Sequence, residues 1–179
     1  MLLFFHDFLF VCLNDSMFVS IIIPVKAIND YICEAVPKHL ALDYPEFEVI
    51  ILPDKYDGGE DFEDDVRIIP THPKTGPADK RDIGAQAAKG DILAFIDDDA
   101  YPRQDWLKNA VPYFEDDEVA GVCGPGVTPP EDNVFKKVSG WVSASIDSSS
   151  SRSFSMPALF FRYFSSMSIR PAAAIFSAM

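Results

Sequence analysis

The stretch FVSIIIPV (18–25) constrains this chain more than any other. It is a near-continuous β-branched, apolar run stopped by Pro24, without the alternation of a strand that shows one side to water. Such a run is expected of a strand buried on both faces, as in a parallel sheet sandwiched by helices. FEVIIL (47–52) reads as a second strand, VRIIP (66–70) as a short third, DILAFI (91–96) as a fourth and VAGVCG (119–124) as a further one. The loop GPGVTPP follows, and its Gly124–Pro125–Gly126 reads as a turn.

The intervening segments carry helical spacing. Asn29 or Asp30 can cap a first helix in which Tyr31, Ile32, Ala35, Val36 and Leu40 share a face, and Pro37 predicts a kink or an early end. A second helix is expected from Pro77, a favoured first-turn residue, to a C-terminal cap at Gly90. Its Gly84, Ala85 and Ala88 make one side smooth enough for close approach to a sheet. In a third, Trp106, Leu107, Ala110, Val111 and Phe114 recur at core-facing intervals. Strands alternating with helices predict an α/β fold: an open, mostly parallel sheet with helices on both faces. Ligands of such sheets bind outside the carboxyl ends of the strands, at a switch in strand order. The residues expected there are Pro24, Val25, Lys26, Pro53, Asp54 and Asp97 to Asp99.

The last three stand in AFIDDDAYP (94–102). Like charges so close repel, and either water or a cation must stabilise them. The apolar run before them places the acids at a sheet rim, where Asp97 and Asp99 could converge through a turn. Converging carboxylates share a proton or hold a hard cation. Magnesium or manganese held by one or two carboxylates leaves coordination positions for substrate phosphates.

Composition narrows the partners. The 179 residues suffice for one domain with a proper core, and their net charge is −13, which disfavours a nucleic-acid partner. An acidic protein needs a metal ion or local cationic groups to hold a phosphate. Three widely spaced cysteines, Cys12, Cys33 and Cys123, form neither a disulfide framework nor a zinc pattern and suit a reducing compartment.

Both ends differ from the middle. MLLFFHDFLFVCL is apolar but interrupted by His6 and Asp7, shorter than the roughly 20 residues that span a bilayer, and without the basic start of a signal peptide. All 28 acids lie at or before Asp147, and Ser148 to Met179 contain no Asp, Glu, Gly or Lys. The expected division is an apolar N-terminal extension (1–16), one α/β domain (17–145), and a Ser-rich, apolar tail (146–179) that is disordered or the product of a truncation or frameshift. The tail has no clear period of 2 or 3.6 residues, which favours the truncation or frameshift.

FVSIIIPVKAIND, YPEFEVIILPDKYDG, GPADKRDIGAQAAKGDILAFIDDDAYPRQDWL and VAGVCGPGV, in that order, resemble the family 2 glycosyltransferases of GT-A fold, over about residues 18–142. The resemblance implies a nucleotide-sugar donor, commonly a UDP-sugar, and a divalent metal, Mn2+ or Mg2+, at an Asp-x-Asp motif. Asp97 and Asp99 match the two acids of that motif as metal ligands, and Asp98 fills the middle position on the donor side. Asp54 matches one of a pair of acids near the base and ribose, and Pro53 replaces the other. RDIG (81–84) matches an Arg-Asn-x-Gly segment, with Arg81 near the diphosphate and Asp82 in place of Asn. Pro24 and Val25 match the loop packed along the base.

By the same resemblance the chain is a metal-dependent, inverting glycosyltransferase acting on an unidentified glycan or lipid-linked acceptor in glycan or polysaccharide synthesis. Its expected location is cytoplasmic, with peripheral attachment to the inner membrane face left open and no spanning helix. The general base that inverting transfer requires is expected downstream, with a Gln-x-x-Arg-Trp segment, and neither is found. Asp147 reads as a loop residue. The expectation is therefore a donor-binding half whose transfer is slow or absent, and the alternative is a non-catalytic nucleotide-binding or interaction module. A nucleotidyltransferase would show a Gly-rich loop after the first strand, and PVKAIND has no glycine. His6, His39 and His72 lack ligand spacing, and there is no P-loop or Gly-x-Ser-x-Gly elbow.

Overall fold

The computed structural model describes residues 16–59, 62, 65–100, 102–124, 134 and 173–177. Six strands, β1 (Val19–Pro24), β2 (Phe47–Leu52), β3 (Val66–Ile68), β4 (Ile92–Phe95), β5 (Gly121–Gly124) and β6 (Ala173–Ser177), form one sheet. Their order is β3-β2-β1-β4-β6-β5, and every neighbouring pair is parallel. Helices α1 (Asp30–Leu40), α2 (Pro77–Ala87) and α3 (Trp106–Ala110) connect the strands, and α3 runs on as a 3-10 turn over Val111–Glu115.

The two-residue period of the strands sorts the core into two layers. Val19, Ile21 and Ile23 of β1, with Val49 and Ile51 of β2, pack against Ile32 and Val36 of α1 and Leu107 and Ala110 of α3. Ile22, Ile50, Leu52, Leu93 and Phe95 face the other way, onto Ala85 of α2. Helices therefore cover both faces, as the buried runs require. All six residues of β1 are buried, and each of its isoleucines contributes about 1.5–3 kcal/mol of apolar burial.

Gly84 sets the distance of α2 from the sheet. A Cβ there would lie 2.6 Å from Ile22 Cγ2 and 3.1 Å from Leu52 Cδ1. Gly90 differs from expectation. The helix ends at Ala87 with Ala88 as its cap, and Gly90 instead lets the chain cross β1, where a Cβ would stand 2.5 Å from the Ser20 nitrogen and 2.8 Å from the Phe18 carbonyl oxygen. A buried polar knot fixes that crossing. Glu48 accepts from Ser20 Oγ (2.8 Å), the Lys89 N–H (2.8 Å) and Arg67 Nη1 (2.8 Å). The Gly90 N–H donates to Ser20 Oγ at 2.9 Å. Burial pushes the Glu48 carboxyl up, but the bonds from Arg67, Lys89 and Ser20 together outweigh it and hold the pKa below its ordinary value.

Pro37 lies within α1, which continues through it to Leu40. The tail contributes β6, seated between β4 and β5 with Ile92 opposite Ala173 and Gly121 opposite Ala174. Sequence periodicity indicates no element there. β6 takes its extended form where two strands already offer open backbone edges on either side.

Candidate functional site

Strand order reverses beside β1: β2 and β3 lie on one side of it and β4 on the other. Pro24 turns this reversal into a fork. Neighbouring residues of a strand point their N–H groups to opposite sides, and the Val25 N–H goes to the Leu52 carbonyl of β2 (3.2 Å). The donor that Pro24 lacks is therefore one that would face β4. Pairing between β1 and β4 ends just below, with the Ile96 N–H on the Ile22 carbonyl (3.3 Å). Beyond that bond the backbones of the loops after β1 and β4 share no hydrogen bond among the described residues.

On the β2 side the loops are tied together. The Asp54 N–H donates to the Lys26 carbonyl (3.1 Å), and the Thr71 N–H to the Pro53 carbonyl (2.8 Å). Helix α2 delivers two consecutive cations to this rim. Its first turn is fixed by Pro77 and by Asp79, whose carboxylate accepts the Gly76 N–H at 3.2 Å. One turn later Lys80, only 3% exposed, reaches under the loops. Its Nζ donates to the Val25 carbonyl (2.6 Å) and to Asp54 Oδ1 (2.5 Å). Arg81 turns the other way and donates from Nη2 to Asp97 Oδ1 (2.5 Å). Both partners of that second pair are about a third exposed, so solvent screens it and it adds about 1 kcal/mol at most.

The acidic triplet forms a turn closed by the Ala100 N–H on the Asp97 carbonyl (3.2 Å). Two of its three side chains take partners, and different ones. Asp97 faces Arg81, and Asp99 is exposed. Asp98 lies 3.5 Å from Asn29 Nδ2, the outer limit of a hydrogen bond. Asn29 also caps α1, its Oδ1 accepting the Ile32 N–H at 3.0 Å, so the loops after β1 and β4 touch through it.

Among the described residues no group of three or more His, Cys, Asp or Glu forms a metal cage. Asp97 and Asp99 offer oxygen donors alone, in a number that suits a hard dication completing its shell with substrate oxygens. Of the residues expected at the site, Pro24, Val25, Asp54, Arg81, Asp97, Asp98 and Asp99 all stand at these strand ends or on the helix facing them. Asp147 and most of the Gly124–Gly126 turn lie outside the described residues. Sequence reasoning missed Lys80 and the double role of Asn29. Lys80 could have been found four residues before Gly84, on the smooth face of α2.

A parallel sheet with a charged fork beside the reversal of strand order defines an α/β protein of the open-sheet class, whose members commonly bind ligands at strand ends. Solved structures of similar fold place it in the GT-A class. One is Staphylococcus aureus TarS 1-349 in complex with UDP-GlcNAc, with 23% identity and TM-score 0.52, covering 65% of this chain and 37% of that one. Another is the mannosyltransferase PcManGT from Pyrobaculum calidifontis in complex with GDP-Man and Mn2+, with 22% identity and TM-score 0.53, covering 64% of this chain and 37% of that one.

The model of Glycosyl transferase family 2 matches residues 20–175, and the chain belongs to that family. The match runs from β1 into β6, beyond the motif-bearing stretch. A glucosyl-dolichyl phosphate glucuronosyltransferase of Haloferax volcanii is 30% identical over 122 residues, 63% of this chain and 39% of that protein. A pre-mycofactocin glycosyltransferase of Mycobacterium tuberculosis is 36% identical over 59 residues, 33% of this chain and 13% of that protein. The chain thus spans well under half the length of these relatives.

Proposed function

We propose that this chain binds a nucleotide-sugar, a UDP-sugar as first candidate, and belongs to an enzyme that transfers the sugar to an acceptor hydroxyl with inversion. The observation that carries the reading is the pair of cations from α2 engaging Asp54 and Asp97 on either side of the fork after β1. In this reading Pro24 and Val25 flank the base, Asp54 receives the nucleoside, and Arg81 leaves Asp97 for the diphosphate. Asp97 and Asp99 would hold Mn2+ or Mg2+. A bound dication there offsets the negative charge that grows on a departing diphosphate. No residue is assigned the role of base.

The same proposal carries an acceptor of glycan or lipid-linked type and a cytoplasmic site of action. None of the helices among the described residues is long and apolar enough to cross a membrane.

Calorimetric titration with UDP and with GDP, each with and without manganese, tests the reading. Expected are binding of one nucleotide and its weakening by at least about tenfold when manganese is withheld or in Arg81→Ala, since charge-assisted contacts to the diphosphate are lost. Failure of both nucleotides to bind with manganese present would overturn it. A chain that binds nucleotide but neither transfers nor hydrolyses a UDP-sugar or a GDP-sugar is the non-catalytic module.

A further inference from the structure

We infer that Lys80 is a positioning residue for the nucleoside, acting through Asp54 and the Val25 carbonyl and not by contact with the diphosphate. The inference rests on the donor-site reading above and extends it to a residue that lies one position before the family-matching Arg81.

Three observations carry it. First, the Lys80 ammonium is buried between the loops after β1 and β2, bonded to the Val25 carbonyl at 2.6 Å and to Asp54 Oδ1 at 2.5 Å. A buried ammonium must keep such partners, because losing one exposes its desolvation cost. It therefore joins the two loops more firmly than the backbone bond from the Asp54 N–H to the Lys26 carbonyl does alone. Second, the contact uses only one oxygen of Asp54. Oδ2 meets no hydrogen-bond donor among the described residues, and the side chain retains 15% exposure. Asp54 is thus held with a single acceptor for a ligand N–H or hydroxyl. Third, Lys80 and Arg81 diverge: one ties the loops of β1 and β2, the other reaches the loop of β4. Adjacent positions on one helix divide the rim into a nucleoside side and a diphosphate side.

The test uses two probes, UDP and inorganic pyrophosphate, both titrated calorimetrically with manganese present. Lys80→Met removes a positive charge and Asp54→Asn a negative one, so long-range electrostatics alone would move anion affinity in opposite directions. If Lys80 positions Asp54, both variants weaken UDP by about tenfold, the scale of a charge-assisted hydrogen bond. Asp54→Asn leaves pyrophosphate binding intact or improved, and the double variant is no worse for UDP than the weaker-binding single.

Circular dichroism checks that each variant is folded. Should Lys80→Met not fold, Asp54→Asn carries the test, because it leaves Lys80 the Val25 carbonyl and an amide oxygen. Asp54→Asn binding UDP as tightly as the parent, or tighter, would overturn the assignment, as would additive losses in the double variant. An unsubstituted chain that binds neither UDP nor GDP overturns the donor-site reading and this inference with it. UDP binding that persists unchanged in Lys80→Met overturns the role of Lys80 alone.

Discussion

Replacing Gly84 with alanine sets two effects of similar size against each other, and the structure decides between them. In an open helix alanine is favoured over glycine by about 1 kcal/mol. Here its Cβ would stand 2.6 Å from Ile22 Cγ2 and 3.1 Å from Leu52 Cδ1, where carbon atoms prefer about 3.5–4.0 Å. Both neighbours are fully buried. Ile22 is β-branched, stiff at χ1, and sits on a strand paired on both sides. The sheet cannot yield, so α2 must move away by about 1 Å. Overpacking of this kind costs about 1–3 kcal/mol, and a contact this short belongs at the upper end. The net expectation is a loss of about 2 kcal/mol, read as a lower urea midpoint at unchanged m and a melting point lower by about 4–8 °C. Nucleotide affinity should fall with it, since Lys80 and Arg81 ride on the preceding turn. A Gly84→Ala chain as stable as its parent, or more so, would refute the close seating of α2 on β1 and β2.

Two predictions concern pH. Glu48 has its native pKa held below the unfolded value near 4.5, so its contribution is complete above that value and is lost as pH falls through the lowered native one. Glu48→Gln should cost about 1–3 kcal/mol at neutral pH, and its urea midpoint should fall less than the parent's between about pH 5.5 and about pH 3. An equal acid loss in both would show that the knot does not titrate. His39 is fully buried, its Nδ1 2.7 Å from the Ala35 carbonyl, so that nitrogen carries the proton, while Nε2 has no hydrogen-bond partner. Burial lowers its pKa from 6.5, against the opposing pull of the Ala35 bond. Its neutral form is stable above 6.5, and stability drains as pH falls toward the lowered native value. His39→Phe should lose less stability than the parent from about pH 7.5 to about pH 5.5 in the same assay, a range where few other groups titrate. A parent and variant with parallel losses would sink that account.

The layered sheet was legible because its cause is local. The buried runs 18–25, 47–52 and 91–96 leave few alternatives to a sheet covered on both sides. Asn29 and Pro77 announce helix starts by side-chain chemistry that acts within a few residues. What escaped depends on contacts distant in sequence. A lysine among the charges of PADKRDIG reads as solvated, and only the chain passing from Val25 to Asp54 supplies the two oxygens that let Lys80 be buried. Gly90 looked like a helix cap because it follows an alanine-rich stretch, whereas its function is a crossing over Ser20 that no local pattern encodes. β6 escaped for a related reason. Ala-rich AAIFS has weak strand preference of its own, and its conformation is set by β4 and β5 on either side.

The charge at the fork connects fold to chemistry. Four acids, Asp54, Asp97, Asp98 and Asp99, stand at the ends of β2 and β4, and the two cations that α2 turns toward them are each already paired with one. A diphosphate approaching this rim meets an excess of negative charge in a chain whose net charge is −13. Two responses are open to it. Arg81 can exchange Asp97 for phosphate oxygens, which a pair about a third exposed allows at little cost. That exchange leaves the Asp97 carboxylate uncovered, and in the proposed reading Asp97 and Asp99 would hold a hard dication that would offset the added negative charge. Lys80 cannot make the same exchange, because its ammonium is buried and would leave two oxygens behind. The asymmetry between neighbouring cations, one exchangeable and one fixed, is the physical reason to expect nucleotide and metal to bind together and each weakly alone.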